Sequence, residues 1–135
     1  MASDIVLNKV ATIKRCIGRI REVYADDEAQ FRTDYTRQDS VLLNLQRCCE
    51  ASIDIANVII RREGLGLPQS ARDSFELLST RDYLSPSIAL QMQKMVGLRN
   101  VAVHDYQKLN LDIVIAVVER HLKDFERFCS VAIDA

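Results

Sequence analysis

Only two prolines and four glycines punctuate the 135 residues, and neither Asn-Gly nor Asp-Gly occurs. A sheet folded through hairpins needs that turn chemistry, so its scarcity argues against a β-rich fold. No apolar run approaches the roughly 20 residues that span a bilayer, and no basic start leads into an apolar leader segment. A soluble, cytoplasmic protein is the expectation. Neither sign of charge is in excess: 18 Lys plus Arg stand against 19 Asp plus Glu, a formal net charge of -1. Such a chain has no whole-molecule field that draws in nucleic acid, so any anion has to be gripped locally. Cys16, Cys48, Cys49 and Cys129 show no Cys-x-x-Cys or Cys/His spacing, and each falls in or beside an apolar helical stripe. Reduced, mostly buried thiols are expected, with no metal and no cofactor.

What is present is helical periodicity. The length suits one domain over residues 1–135, enough to bury a core without disulfides or metal. Val6, Val10, Ile13, Ile17, Ile20 and Tyr24 alternate steps of four and three, which predicts a helix from about residue 4 to 25. Leu42, Leu45, Cys49, Ser52, Ala56 and Ile59 do the same from about 35 to 63. Leu43, Ile55 and Val58 widen that second arc, so this helix is expected to be covered on most sides. Gly64 and Gly66 followed by Pro68 stop it. A short helix over "SARDSFELLS" follows, and Ser85 with Pro86 reads as the N-cap and first residue of the next long helix. Asn110 caps the last, whose stripe runs through Leu111, Val114, Val118, Leu122, Phe125 and Cys129. The fold class is therefore all-α: an antiparallel four-helix bundle with one short additional helix.

One stretch, "GLRNVAVHDYQKLN", does not read as plain scaffold. Ile88, Met92, Met95, Arg99, Ala102 and Tyr106 keep the spacing of a buried seam, which puts Arg99 at a core position. At about 100° per residue, Asn100 and His104 lie about 40° apart, whereas His104 lies about 140° from Arg99. Three geometries stay open: the helix breaks after Gly97, Arg99 bends its stem around, or a second copy of the chain completes the site. A seam arginine also has a purely structural use as a paired residue, with Glu50 or Asp54 as partner. A lone histidine is commonly just a satisfied polar group.

At these residues the sequence resembles the HEPN (higher eukaryotes and prokaryotes nucleotide-binding) domains. Arg99, Asn100 and His104 fit the Arg-then-His motif of their ribonuclease members, and Tyr106 completes the version typical of HepT-type toxins. "NLQRCCEASIDIANVI", "LPQSARDSFELL" and "MVGLRNVAVHDY" resemble successive segments of the family, so the likeness covers most of the chain. The resemblance implies a metal-independent ribonuclease acting as a homodimer on RNA, the toxin of a pair whose antitoxin is a minimal nucleotidyltransferase of the MntA type. Arg99 is then the electrostatic clamp on phosphate, because guanidinium is planar and permanently charged. His104, with an unperturbed pKa of about 6.5, moves the proton. Asn100 orients the imidazole or donates to a phosphate oxygen. Tyr106 is the residue onto which the partner transfers AMP, and its hydroxyl is expected at a groove.

Lys9, Lys14, Arg15, Arg19 and Arg21 form a run without an acid among them. A solvated helix face accounts for it, an RNA-facing edge being the other use. His121 reads as a structural residue of the final helix. Two other function classes stand beside the ribonuclease: a non-catalytic nucleotide- or substrate-binding subunit of a nucleotidyltransferase complex, and a helical assembly protein whose polar cluster only fixes register.

Overall fold

A computed structural model of the chain describes residues 3–135. Among the described residues seven α-helices follow one another: α1 (Asp4–Tyr24), α2 (Glu28–Thr33), α3 (Tyr35–Glu63), α4 (Ala71–Thr80), α5 (Pro86–His104), α6 (Leu111–Ala116) and α7 (Leu122–Asp134). A π-helical turn at Val117–His121 joins α6 to α7 into one element, and a 3-10 turn at Tyr106–Lys108 follows α5. The result is an antiparallel four-helix bundle of α1, α3, α5 and α6–α7, with α2 and α4 as two short additions where the sequence predicted one.

The antiparallel order shows in the pairs that cross it. On α1 and α3, Lys9 reaches Asp54 at 2.9 Å while the Cys48 thiol donates to the Ile13 carbonyl at 3.8 Å. Between α1 and the last element, Arg21 meets Glu126 and the Tyr24 hydroxyl donates to Glu119 at 2.7 Å. The predicted stripes of α1 and α3 are buried along their whole length. Helix ends fall where the chemistry asks: Ser85 accepts from the Ile88 amide ahead of Pro86, Asn110 from the Asp112 amide, and Gly64 closes α3 in the left-handed region at φ 62°.

Three features depart from the sequence reading. α2 is held by the Asp27 cap and by Phe31, fully buried with its ring edge-on to Tyr24 at 5.2 Å between centroids. In the last element the stripe steps by four twice in succession, from Val114 to Val118 to Leu122. A π turn absorbs that longer stride and lets adjacent Val117 and Val118 both face the core. Leu43, expected within a covered arc, is 47% exposed, lining a shallow cleft beside Ala102 and Tyr106.

The four cysteines are free and buried. Burial pushes the thiol of Cys49 up to about 12 and that of Cys129 up to about 11, so neither is a thiolate near neutrality. In the α1 basic run Lys9, Arg19 and Arg21 pair with Asp54, Glu22 and Glu126, so three of its five cations are matched by carboxylates. No helix among the described residues is long and apolar enough to cross a membrane.

Candidate active site

α5 runs without a break through Gly97 and ends at His104, where the Asp105 amide closes the last turn onto the Val101 carbonyl. Its first three turns bury Ala89, Met92, Met95 and Val96 against the bundle. Arg99 continues that inward face and is 19% exposed, reaching across to α3, where Nη1 lies 3.3 Å from Glu50 Oε1. Just above, the Cys49 thiol donates to the Met95 carbonyl at 3.4 Å, so this stretch of α3 is fastened to α5 at two levels. Of the two acids expected as partners, Glu50 takes Arg99, and Asp54 is committed to Lys9. The pairing is incomplete: Arg99 Nε is buried without an acceptor among the described residues. A guanidinium carries five donors, and this one leaves most of its fork unspent.

His104 and Asn100 have different surroundings. His104 is exposed and Asn100 half-buried, and neither side chain makes a hydrogen bond with a described residue. Within one chain, then, the structure joins Arg99 to Glu50 and leaves His104 on another side of the helix. Two of the three geometries open in the sequence are thereby removed, since α5 does not break after Gly97 and the Arg99 stem turns to α3.

Tyr106 corrects a register argument. Counted along a continuous helix it falls near the face of Arg99, but α5 has already ended and Tyr106 sits in the 3-10 turn. Its position is set by a tertiary contact instead: the hydroxyl donates to Asp39 Oδ1 on α3 at 2.8 Å. Tyr106 is 49% exposed and lines a shallow cleft of about 170 Å³ with Asp39, Leu43, Gln46 and Ala102. The hydroxyl is thus at a groove, as expected, and the hydrogen bond to Asp39 raises its pKa above that of an ordinary phenol.

Sequence reasoning missed Asp39. The signal was present, since Asp39, Leu43, Gln46 and Glu50 recur at steps of four, three and four and so line one face of α3. That face carries the partners of Tyr106 at one end and of Arg99 at the other. Among the described residues no group of three or more His, Cys, Asp or Glu stands close enough to share a metal ion.

The family model described as ribonuclease HepT-like matches residues 13–132. The chain belongs to the HepT-like ribonuclease family. It is 61% identical over 129 residues to the mRNA nuclease HepT of Shewanella oneidensis, covering 96% of each chain. Among solved structures it superimposes, with a TM-score of 0.95 and 59% identity over 98% of this chain and 99% of the other, on the tri-AMPylated Shewanella oneidensis HEPN toxin in complex with MNT antitoxin. A crystal structure of a toxin–antitoxin with AMP-PNP matches with the same TM-score and identity, over 98% of this chain and 100% of that one. The all-α architecture is that of these structural neighbours.

Proposed function

We propose that this chain is the toxin of a two-component pair: a metal-independent ribonuclease with a composite Arg99/His104 site across a homodimer, silenced by AMP placed on Tyr106 by an MntA-type nucleotidyltransferase. The observation that carries the composite site is the divergence of Arg99, turned inward to Glu50, and His104, exposed without a described partner, near the exposed apolar residues Leu43, Val103 and Tyr106. A second copy seated there brings its own motif against the first. Relatives at this identity, one a named mRNA nuclease and one an AMPylated toxin in complex with its antitoxin, support the reaction and the partner. The pair would act in the cytoplasm, where RNA and antitoxin meet.

In this reading the ribose 2'-hydroxyl attacks the adjacent phosphorus and the bond to the 5'-oxygen breaks, leaving a 2',3'-cyclic phosphate and a 5'-hydroxyl. His104 takes the proton from the attacking oxygen or returns one to the leaving oxygen. Arg99 neutralises the charge gathering on the phosphoryl oxygens, held ready by its single contact to Glu50. Asn100 lies on the His104 side and steadies the imidazole or a phosphate oxygen. In the modification, the Tyr106 oxygen attacks the α-phosphorus of a nucleoside triphosphate, pyrophosphate leaves, and the phenol proton passes to Asp39, 2.8 Å away. The new phosphodiester anion and base then fill the cleft and compete with RNA phosphate for cations.

Purified protein incubated with total RNA, beside His104→Ala, tests the reaction; Tyr106→Phe co-expressed with the cognate nucleotidyltransferase tests the switch. Cleavage by wild type and none by His104→Ala is expected. Tyr106→Phe stays toxic and gains no AMP mass. If wild type cleaves nothing, the chain is the substrate-binding subunit of its nucleotidyltransferase. If Tyr106→Phe is fully silenced, inhibition rests on binding alone.

A further inference from the structure

Gly97 lies in the interior of α5, where glycine is a poorer helix former than alanine. Its lack of a side chain is used. A Cβ at that position would stand 2.8 Å from Nη2 and 3.9 Å from Cζ of Arg72, so the guanidinium of this α4 residue lies directly over the bare helix surface. Gln93 Nε2 donates to the Arg72 carbonyl at 3.1 Å and fixes the backbone there. The guanidinium itself has no hydrogen-bond or ion-pair partner among the described residues, and the side chain is exposed. Nearby carboxylates are engaged elsewhere, Asp73 by the Gln69 amide at 2.9 Å and Glu76 by Gln93 at 3.4 Å.

The face that Arg72 covers is the one that carries His104 and Asn100 of the motif. Seven residues separate Gly97 from His104, which returns His104 to within about 20° and sets it about 10 Å along the axis; Asn100 is about 60° away. Arg99 is about 160° away, on the inward side. Flanking Gly97 on its other side, a cleft of about 260 Å³ is lined by Lys94, Val101, Lys108 and Ile113. Lys108 has only a surface contact with Asp105 at 3.3 Å.

We propose that Arg72, laid over Gly97 and flanked by Lys94 and Lys108, is an RNA-phosphate-binding residue that holds the strand beside the phosphate reacting at His104. The inference rests on the ribonuclease reading. Ten ångströms is the rise of roughly three stacked nucleotides, so a strand following the helix face from His104 reaches the guanidinium about three nucleotides on. A planar fork suits a phosphodiester, and a near-neutral chain needs such local grips to hold RNA at all. An arginine serving only to cover α5 with its stem would lose nothing in RNA binding on becoming glutamine.

The test measures the affinity of a short single-stranded RNA, over a series of salt concentrations, for the His104→Ala protein and for the same protein carrying Arg72→Gln or Gly97→Ala. Arg72→Gln is expected to weaken binding about three- to tenfold at low salt and to flatten the log–log salt slope by about 0.7. Gly97→Ala keeps the charge but displaces it, and should weaken RNA binding while raising the melting temperature. In the wild-type background Arg72→Gln raises KM more than it lowers kcat. Unchanged affinity and slope in Arg72→Gln overturn the proposal, as does a parent that binds no RNA. A wild type that cleaves nothing while the His104→Ala parent still binds overturns the ribonuclease reading instead, and Arg72 is then judged on affinity alone.

Discussion

The two halves of α5 differ in what their side chains are for. From Pro86 to Val96 the helix is ordinary core, with Ala89, Met92, Met95 and Val96 filling the bundle. From Gly97 to His104 the same inward face is given to a guanidinium bound to Glu50, and the outward face to a bare glycine, an amide and an unpaired imidazole. The first half follows from burial of apolar surface. In the second, a guanidinium sits inward with its Nε buried and without an acceptor among the described residues, which a helix serving only as scaffold has no reason to do. The bundle supplies the rigidity that lets the second half remain incompletely paired.

That contrast predicts a clean division between variants. His104→Ala should lower RNA cleavage by about 10²- to 10⁴-fold at unchanged melting temperature, because an exposed imidazole without partners contributes little to stability. Arg99→Lys should fail as well, a point charge being unable to replace the fork. A rate measurement beside a thermal melt checks both. Met92→Ala should do the reverse, costing about 2–5 kcal/mol of stability by denaturant titration while the residual folded fraction keeps its specific activity. A core variant that kills activity without loss of stability would erase the distinction between the two halves.

Much of this architecture was legible in the sequence. The stripes of α1 and α3, the Ser85–Pro86 start of α5, the Gly64 stop and the Asn110 cap are local signals, and each is found where it was expected. Misses occurred where tertiary contacts decide. α2 has six residues and one buried anchor, Phe31, too little for a period to show. Tyr106 kept the seam's spacing although the helix had stopped, because apolar periodicity runs on regardless of whether hydrogen bonds follow it. Leu43 reads as core because an apolar residue at core spacing looks the same in sequence whether its face is covered or, as here, half-open. The motif itself was recognisable as a set, but its partners on α3 and α4, Asp39 and Arg72, acquire meaning only through packing.

Smaller effects sharpen the contrast. Leu43→Arg places a charge on the uncovered face of α3 and should give a folded monomer, seen by sedimentation, with cleavage lost in proportion to dimer. Asp39→Asn should lower the Tyr106 pKa toward the ordinary phenol value of about 10, read from phenolate absorbance. The sign follows from the bond: Asp39 accepts from the neutral hydroxyl, so the contact is present at neutral pH and is lost as the pH rises through the elevated pKa. The same variant should slow AMP transfer onto Tyr106 while leaving RNA cleavage by the unmodified protein intact.

The claim on which the rest depends is that one chain does not hold a complete site. Specific cleavage activity measured against protein concentration, with the dimer fraction determined by sedimentation in the same samples, tests it most directly. Activity is expected to track the dimer fraction in wild type and to disappear in Leu43→Arg; a monomer retaining full activity per chain would show that one chain suffices.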